Sequence, residues 1–417
     1  MDKILVRGGK PLKGSVQIRG AKNAALPLMA ATILAEDTCV LHNIPCLHDI
    51  FSMDKLLADM GMTIDFTGRS MTMEPQNLHK AEAHYELVRK MRASFFVLGP
   101  LLARFGKCRV SLPGGCAIGT RPVDIHLKGL EALGASIRIE DGYVVAEGKL
   151  SGVNYALDFP SVGATENLMM AATRAEGVTR LTNVAREPEI EDLAHFLNAM
   201  GTRISGAGTD LITIVGVDAL GGAEHIVMPD RIEAGTFLTA GIATGGDVTV
   251  LNAKAEHFPN FLKKLQATGA EVEIQGNKIR AHAPNGINSV DITTQPFPGF
   301  ATDLQAQMMV LMTRANGVSR IKETVFENRF MQVPELVRMG ADIDVDGNTA
   351  IVRGVKSLSG APVMASDLRA SAALVIAGLM AQQGETAISR VYHIDRGYER
   401  IEERLVGLGA DIERVRE

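Results

Sequence analysis

One fragment returns six times along the chain, as LLADMGMTI, LEALGASIRI, LNAMGTRI, LQATGAEVEI, LVRMGADIDV and LVGLGADIERV. Its glycines are Gly61, Gly134, Gly201, Gly269, Gly340 and Gly409, spaced 67 to 73 residues apart, so six copies account for nearly all of the 417 residues. A repeat of this kind constrains the fold more than any composition, because each copy must fold as the same unit. Leucines three and four positions apart mark one face of a helix. The glycine then ends that helix in the left-handed conformation that glycine adopts cheaply. Alternating residues and a turn such as DGN predict a hairpin after it.

A second element recurs in every unit, as KNAALPLMAATILAED, RASFFVLGPLLARFG, GATENLMMAATRAEG, EAGTFLTAGIATGG, DLQAQMMVLMTRANG and LRASAALVIAGLMAQQG. These segments are apolar nearly all round, which predicts buried helices. Each unit therefore reads strand, buried helix, strand, second helix, strand, strand. The sixth stops one strand short, at ADIERVRE. The N-terminal ILVRGGKPLKG aligns with AIVRGVKSLSG, Gly8 opposite Gly354 and Gly14 opposite Gly360, and supplies the missing piece. The expected fold class is α/β, with buried helices wrapped by sheets and three units in each of two domains. One domain is expected over 21–229, the other over 1–20 plus 230–417, with a hinge cleft between them as the ligand site.

Bulk properties exclude several functions. The net charge is −5, aromatic residues make up 5% and Trp is absent, which argues against nucleic-acid binding. The four cysteines, Cys39, Cys46, Cys108 and Cys116, form no C-x-x-C pair, and the histidines form no H-x-x-x-H pair, so no metal is expected. No phosphate-loop or dinucleotide fingerprint is present, so no cofactor of those kinds is expected. The N-terminus lacks a signal-peptide core, and the apolar run SAALVIAGLMA is too short to span a bilayer. The expectation is a cytoplasmic protein without membrane insertion.

Unusual polar residues stand where the buried helices start: Lys22 and Asn23, Arg92, Ser161 with Gly163, Arg231 with Glu233, Asp303, and Asp367 with Arg369. A cation at a helix N-terminus opposes the dipole. Either an anionic ligand or ion pairs between units would stabilise it there. Asp303 reads equally as a helix N-cap, and Arg396 in HIDRGYERIEERL as a solvated charge. Cys39 and Cys108 fit buried apolar positions. Cys116, in the loop PGGCAIGTRP, has no strand or helix period to bury it, and nearby cations would make it reactive.

Six segments together resemble the UDP-N-acetylglucosamine enolpyruvyl transferase family of the EPSP synthase superfamily. They are RGAKNAALPLMAATILAED, PGGCAIGTRPVDIHLKGLEALGA, FPSVGATENLMMAA, FATDLQAQ, ETVFENRFMQVPEL and HIDRGYERIE. The likeness runs the length of the chain. It implies the two-domain inside-out α/β barrel, needing no cofactor. It also implies transfer of the enolpyruvyl group of phosphoenolpyruvate to the 3′-hydroxyl of UDP-N-acetylglucosamine, the first committed step of peptidoglycan synthesis. By the same resemblance Lys22, Arg121 and Arg396 look like a phosphoenolpyruvate clamp, with Arg92 and Arg369 as further candidates. Cys116 matches the loop cysteine that serves as acid, bonds to phosphoenolpyruvate and is alkylated by fosfomycin. Asp303 matches the proposed base, and Asn23 the residue that holds the sugar and the tetrahedral intermediate. Arg92 is a further candidate on the sugar side. The uridine end is expected on Arg121, Pro122, Val123, Asp124 and Ile125, on Pro160, Ser161, Val162 and Gly163, and on Val325. The glycines around Cys116 imply a lid that closes over the substrates. Two positions depart from the family pattern: Pro160, where some members carry Lys, and Ala301, where Pro is common. The alternatives are 5-enolpyruvylshikimate-3-phosphate synthase, whose first motif reads Gly-Ser-Lys-Ser and which lacks the loop cysteine, and an inactive UDP-sugar-binding paralogue.

Overall fold

The six glycines of the repeat all take positive φ, from 91° to 111°, each just past a helix. That is the left-handed C-terminal position the repeat requires. The computed structural model describes residues 2–89, 91–113 and 123–416. Within them each unit builds a four-stranded sheet of one topology, six in all. In the unit around Gly201, strand Asn154–Ala156 runs parallel to Val178–Thr182. The latter pairs antiparallel with Leu211–Val215, which pairs antiparallel with Arg203–Ser205. Between the two parallel strands lies the helix Val162–Ala172, buried from Ala164 onward. Between Val178–Thr182 and the hairpin lies the amphipathic helix Pro188–Ala199.

The chain divides into two compact units, one holding residues 20–113 and 123–228, the other 2–19 and 229–416. Each has its own apolar core. In the first, helices Lys22–Ala31 and Val162–Ala172 and the helical segment Arg92–Phe105 pack together under three sheets. In the second, Arg231–Ala243, Gln305–Met312 and Leu368–Met380 do the same. Helices inside and sheets outside follow from the sequence: the helices are apolar on all faces, whereas the sheets alternate buried and exposed positions, as in Val318–Lys322.

The opening strand of the first unit's first sheet is Glu224–Ile226, parallel to Cys39–His42, although the helix belonging to that sheet is Lys22–Ala31. The strand Lys13–Gln17, which precedes that helix in the chain, pairs instead with Asp247–Leu251 in the other unit. The last sheet is completed by the N-terminal strand Asp2–Arg7, seated between Thr386–Ser389 and Asp411–Arg416. The alanine-rich segments at Arg92 and Asp303 differ from single helices. Each opens with a 3-10 turn, Arg92–Val97 and Thr302–Leu304, before the α-helix begins at Leu98 or Gln305. Neither opening turn has a side-chain cap, and the tighter hydrogen bonding takes up the start instead.

Candidate active site

Lys22 is the first residue of its helix, after an uncapped Ala21. Its Nζ lies 3.3 Å from Oδ2 of Asp49, and both side chains are mostly buried. Asp49 stands in the first turn of helix His48–Asp59, where a carboxylate favours the dipole. Asn23, on the next position, is half-buried, as is Arg92. Val123 precedes the helix Asp124–Ala132, and Asp124 is exposed and 3.7 Å from Lys128. Pro160, Ser161, Val162 and Gly163 lie half-buried at the start of their helix, where Ser161 Oγ accepts from the Ala164 amide. Lys22 thus has a carboxylate beside it, from within its own repeat unit.

His126, on the same helix as Asp124 and Ile125, is buried beside these residues. The Asn167 amide fixes its tautomer. Asn167 Oδ1 accepts from the Gly99 amide at 2.6 Å, and Nδ2 donates to the Phe95 carbonyl at 2.9 Å. With the amide so oriented, its remaining proton faces His126 Nδ1 at 3.1 Å. Nδ1 must accept, so the neutral ring carries its proton on Nε2. Burial, with a smaller push from Arg92, lowers its pKa to about 3. A Cβ at Gly163 would stand 3.4 Å from His126 Cε1 and 3.6 Å from Nε2, so the ring lies against the start of the Val162–Ala172 helix. Glu166, one turn further on, is fully buried, and neither of its oxygens has a hydrogen-bond partner among the described residues. Burial first, then Glu189 and Glu187, raises its pKa well above the carboxylate range.

In the other unit, Asp303 does not cap its helix. Its Oδ1 accepts from Arg329 at 2.6 Å and its Oδ2 from Arg369 at 2.8 Å, and both guanidinium groups are buried. The N-cap alternative gives way because two charged donors outbid backbone amides. The cap role at the neighbouring helix falls to Asp367, which accepts from the amides of Arg369 and Ala370. Arg231, beside the capping Asp230, is buried, and Glu233 pairs with Arg404 and accepts from the Arg19 amide at 2.9 Å. Arg396 ends the 3-10 turn Val391–Arg396 and is half-buried, not a freely solvated charge. Val325 is half-buried, its amide donating to Glu323.

Cys116, Arg121 and Pro122 lie outside the described residues. Cys39 and Cys108 are buried, and burial pushes their thiols up to about 11 and about 12, which leaves them unreactive at neutral pH. The sequence reading missed Asp49, His126 and Arg329. Arg329 lies inside the quoted motif ETVFENRFMQVPEL, but nothing in a loop arginine signals that it is buried against a carboxylate. Among the described residues no group of His, Cys, Asp and Glu is arranged to hold a metal ion. Nor is any helix long and apolar enough to cross a membrane.

The sequence matches the family model described as EPSP synthase (3-phosphoshikimate 1-carboxyvinyltransferase) over residues 6–405. The chain belongs to the EPSP synthase family. Within that family, proteins named UDP-N-acetylglucosamine 1-carboxyvinyltransferase resemble it along their whole length. That of Rhodospirillum centenum is 57% identical over 433 residues, and that of Desulforapulum autotrophicum 58% over 418, with 100% of both chains covered in each case. Solved structures share the fold. The enolpyruvyl transferase NikO from Streptomyces tendae superposes with a TM-score of 0.90 at 24% identity, covering 99% of each chain. EPSP synthase from Acinetobacter baumannii gives 0.76 at 19%, covering 100% of each. The family resemblance read from the motifs and the inside-out α/β class both hold.

Proposed function

We propose that this chain transfers the enolpyruvyl group of phosphoenolpyruvate to the 3′-hydroxyl of UDP-N-acetylglucosamine and releases phosphate. The observation that carries this reading is the 55–58% identity, over the full length, to relatives that bear the corresponding name. The reading makes the protein a cytoplasmic enzyme of peptidoglycan synthesis and a target of fosfomycin.

The chemistry assigns the residues. C3 of phosphoenolpyruvate takes a proton, C2 becomes electrophilic, and the 3′-oxygen of the sugar adds to it. The resulting tetrahedral ketal then loses phosphate and a proton from C3, restoring the double bond. In this reading Cys116 delivers the C3 proton. Lys22, Arg121 and Arg396, aided by Arg92 and Arg369, neutralise the phosphate and carboxylate through charge-assisted hydrogen bonds. Asp303 takes the hydroxyl proton. Its two oxygens each accept one guanidinium proton, and a carboxylate has lone pairs to spare for the sugar hydroxyl. Asn23 holds the sugar. The uridine rests on Arg121 to Ile125, Pro160 to Gly163 and Val325.

The test is phosphate release from phosphoenolpyruvate with either UDP-N-acetylglucosamine or shikimate 3-phosphate as acceptor, with and without fosfomycin. Release with the UDP-sugar alone, lost together with a mass adduct on Cys116, is expected. Release with shikimate 3-phosphate overturns the substrate assignment, and release with neither leaves only a binding protein. Asp303→Ala is expected to bind the UDP-sugar yet turn over about 10²- to 10⁴-fold more slowly. Cys116→Asp keeps a proton donor but no thiol for the epoxide, so retained turnover with resistance would favour the acid role.

A further inference from the structure

Behind Asp303 and Arg369 lies a polar chain, Tyr398, Thr236 and Gln307, with no part in the reaction as described. Arg369, which donates to Asp303 through one terminal nitrogen, donates through the other to the hydroxyl of Tyr398 at 3.3 Å. Tyr398 is the largest fully buried side chain of the molecule. Its hydroxyl lies 2.8 Å from Thr236 Oγ1, and Gln307 Nε2 reaches both oxygens, at 3.1 Å and 3.3 Å.

The proton directions in this chain can be worked out. Thr236 commits its own hydroxyl proton to the Ile232 carbonyl at 2.8 Å, so its oxygen can only accept from its neighbours. The phenol therefore donates to Thr236, and its oxygen accepts from Arg369 and from Gln307. Every bond in the chain has one allowed sense. The four residues come from three different buried helices and the segment after Arg396, in a unit whose core is mostly apolar but also buries Arg231, Glu233, Gln305 and Arg329. A phenol hydroxyl, two amide protons and a guanidinium cost desolvation when buried unless they are paired, and here the phenol and both amide protons have acceptors, while Gln307 Oε1 has none among the described residues. Its geometry fixes the plane of the Arg369 guanidinium, and with Arg329 on the other oxygen this sets the direction of the Asp303 carboxylate.

We propose that Tyr398, seated on Thr236 and Gln307, is a positioning residue for Asp303, acting through Arg369. The inference rests on Asp303 being the base of the proposed reaction. Without the phenol oxygen, Arg369 has an unmatched buried donor and a second orientation to adopt, and the carboxylate it holds moves off the sugar hydroxyl. A displacement of an ångström at a reacting group is enough to slow turnover by about 100-fold.

The experiment compares wild type with Tyr398→Phe, Thr236→Val and Asp303→Ala in steady-state turnover, with thermal unfolding measured alongside. Tyr398→Phe is expected to lower kcat between about 10- and 100-fold, with KM for both substrates within about threefold of wild type. Thr236→Val removes only the acceptor of the phenol proton, and a smaller fall in kcat with the same KM pattern is expected. The double variant Tyr398→Phe with Arg369→Lys should be no slower than Arg369→Lys alone, since the phenol acts through that guanidinium. A fully active Tyr398→Phe beside a slow Asp303→Ala overturns the proposal and spares the base assignment. A fully active Asp303→Ala overturns the base assignment itself. Should Tyr398→Phe fail to fold, Thr236→Val decides: wild-type kcat there, or a loss of kcat that merely follows a lowered Tm, leaves the network structural and the proposal wrong.

Discussion

His126 and Glu166 are ionisable side chains buried in one core, and burial favours the neutral form of each, so they tie the stability of that unit to pH in opposite senses. His126 titrates near 6.5 when unfolded and at about 3 when folded. Below pH 6.5 the unfolded chain binds the extra proton, so stability falls as pH drops from 6.5 toward 3, by about 1.4 kcal/mol per pH unit. Glu166 has the reverse displacement. Its contribution is intact below the unfolded carboxylate pKa and is lost as pH rises through the raised folded value. Urea unfolding across a pH series should therefore show a shallower acid limb for His126→Gln and, for Glu166→Gln, a shallower fall in stability as pH rises above the unfolded carboxylate pKa. Slopes equal to wild type in both would mean that neither group is neutral in the folded protein. Single residues were also where the sequence was least informative. Lys22 and Asp303 stood out because a charge at the start of an apolar helix needs a reason. Arg329 and Tyr398 did not, because a loop arginine and a tyrosine in a polar stretch read as surface until packing places them inside.

Two glycines of the first unit do different work for its elements. Gly201 takes a φ of +111° with open space where a side chain would go. Gly99 has an ordinary backbone, but a Cβ there would stand 2.4 Å from the Asn167 carbonyl oxygen and 2.5 Å from its Oδ1. Gly201→Ala should cost about 1–2 kcal/mol in conformational strain. Gly201→Asn should recover part of it, since Asn43, Asn183 and Asn252 already hold φ of 59°, 52° and 58° in this chain. Gly99→Ala should cost up to about 3 kcal/mol because two helices must part, and Gly99→Asn should cost more still. Chemical denaturation of the four variants separates the cases; relief by Asn at both sites would refute the steric reading of Gly99. The repeat made most elements legible: a helix face, a glycine and an alternating hairpin recur often enough to align by eye. The 3-10 openings at Arg92 and Thr302 were hidden, because no capping residue announces them and the apolar pattern runs straight through.

At the scale of the whole molecule, the strand Asp2–Arg7 matters more than its six residues suggest. It sits inside a sheet, Ile4 and Val6 are fully buried, and among the described residues Asp411–Arg416 joins the sheet through it. A chain beginning after Arg7 should lose cooperative unfolding of the unit that holds 229–416, seen as a separate low-temperature transition or none at all, while the unit of 20–228 still melts. A single wild-type-like transition would show the strand to be dispensable. The alignment of chain ends had exposed this strand from sequence and grouped Lys13–Gln17 with 230–417, whereas nothing local marked Glu224–Ile226 as the other party to the exchange of opening strands. That exchange makes the molecule a host carrying a guest. The guest enters and leaves at adjoining points, for the Ala21 amide donates to the Met228 carbonyl at 2.7 Å while, on the host side, the Asp230 amide donates to the Arg19 carbonyl at 2.8 Å. A guest whose two ends meet can be lifted out and the host resealed with a short linker, without threading one chain through the other. The gene for one protein could in this way be rewritten as genes for two.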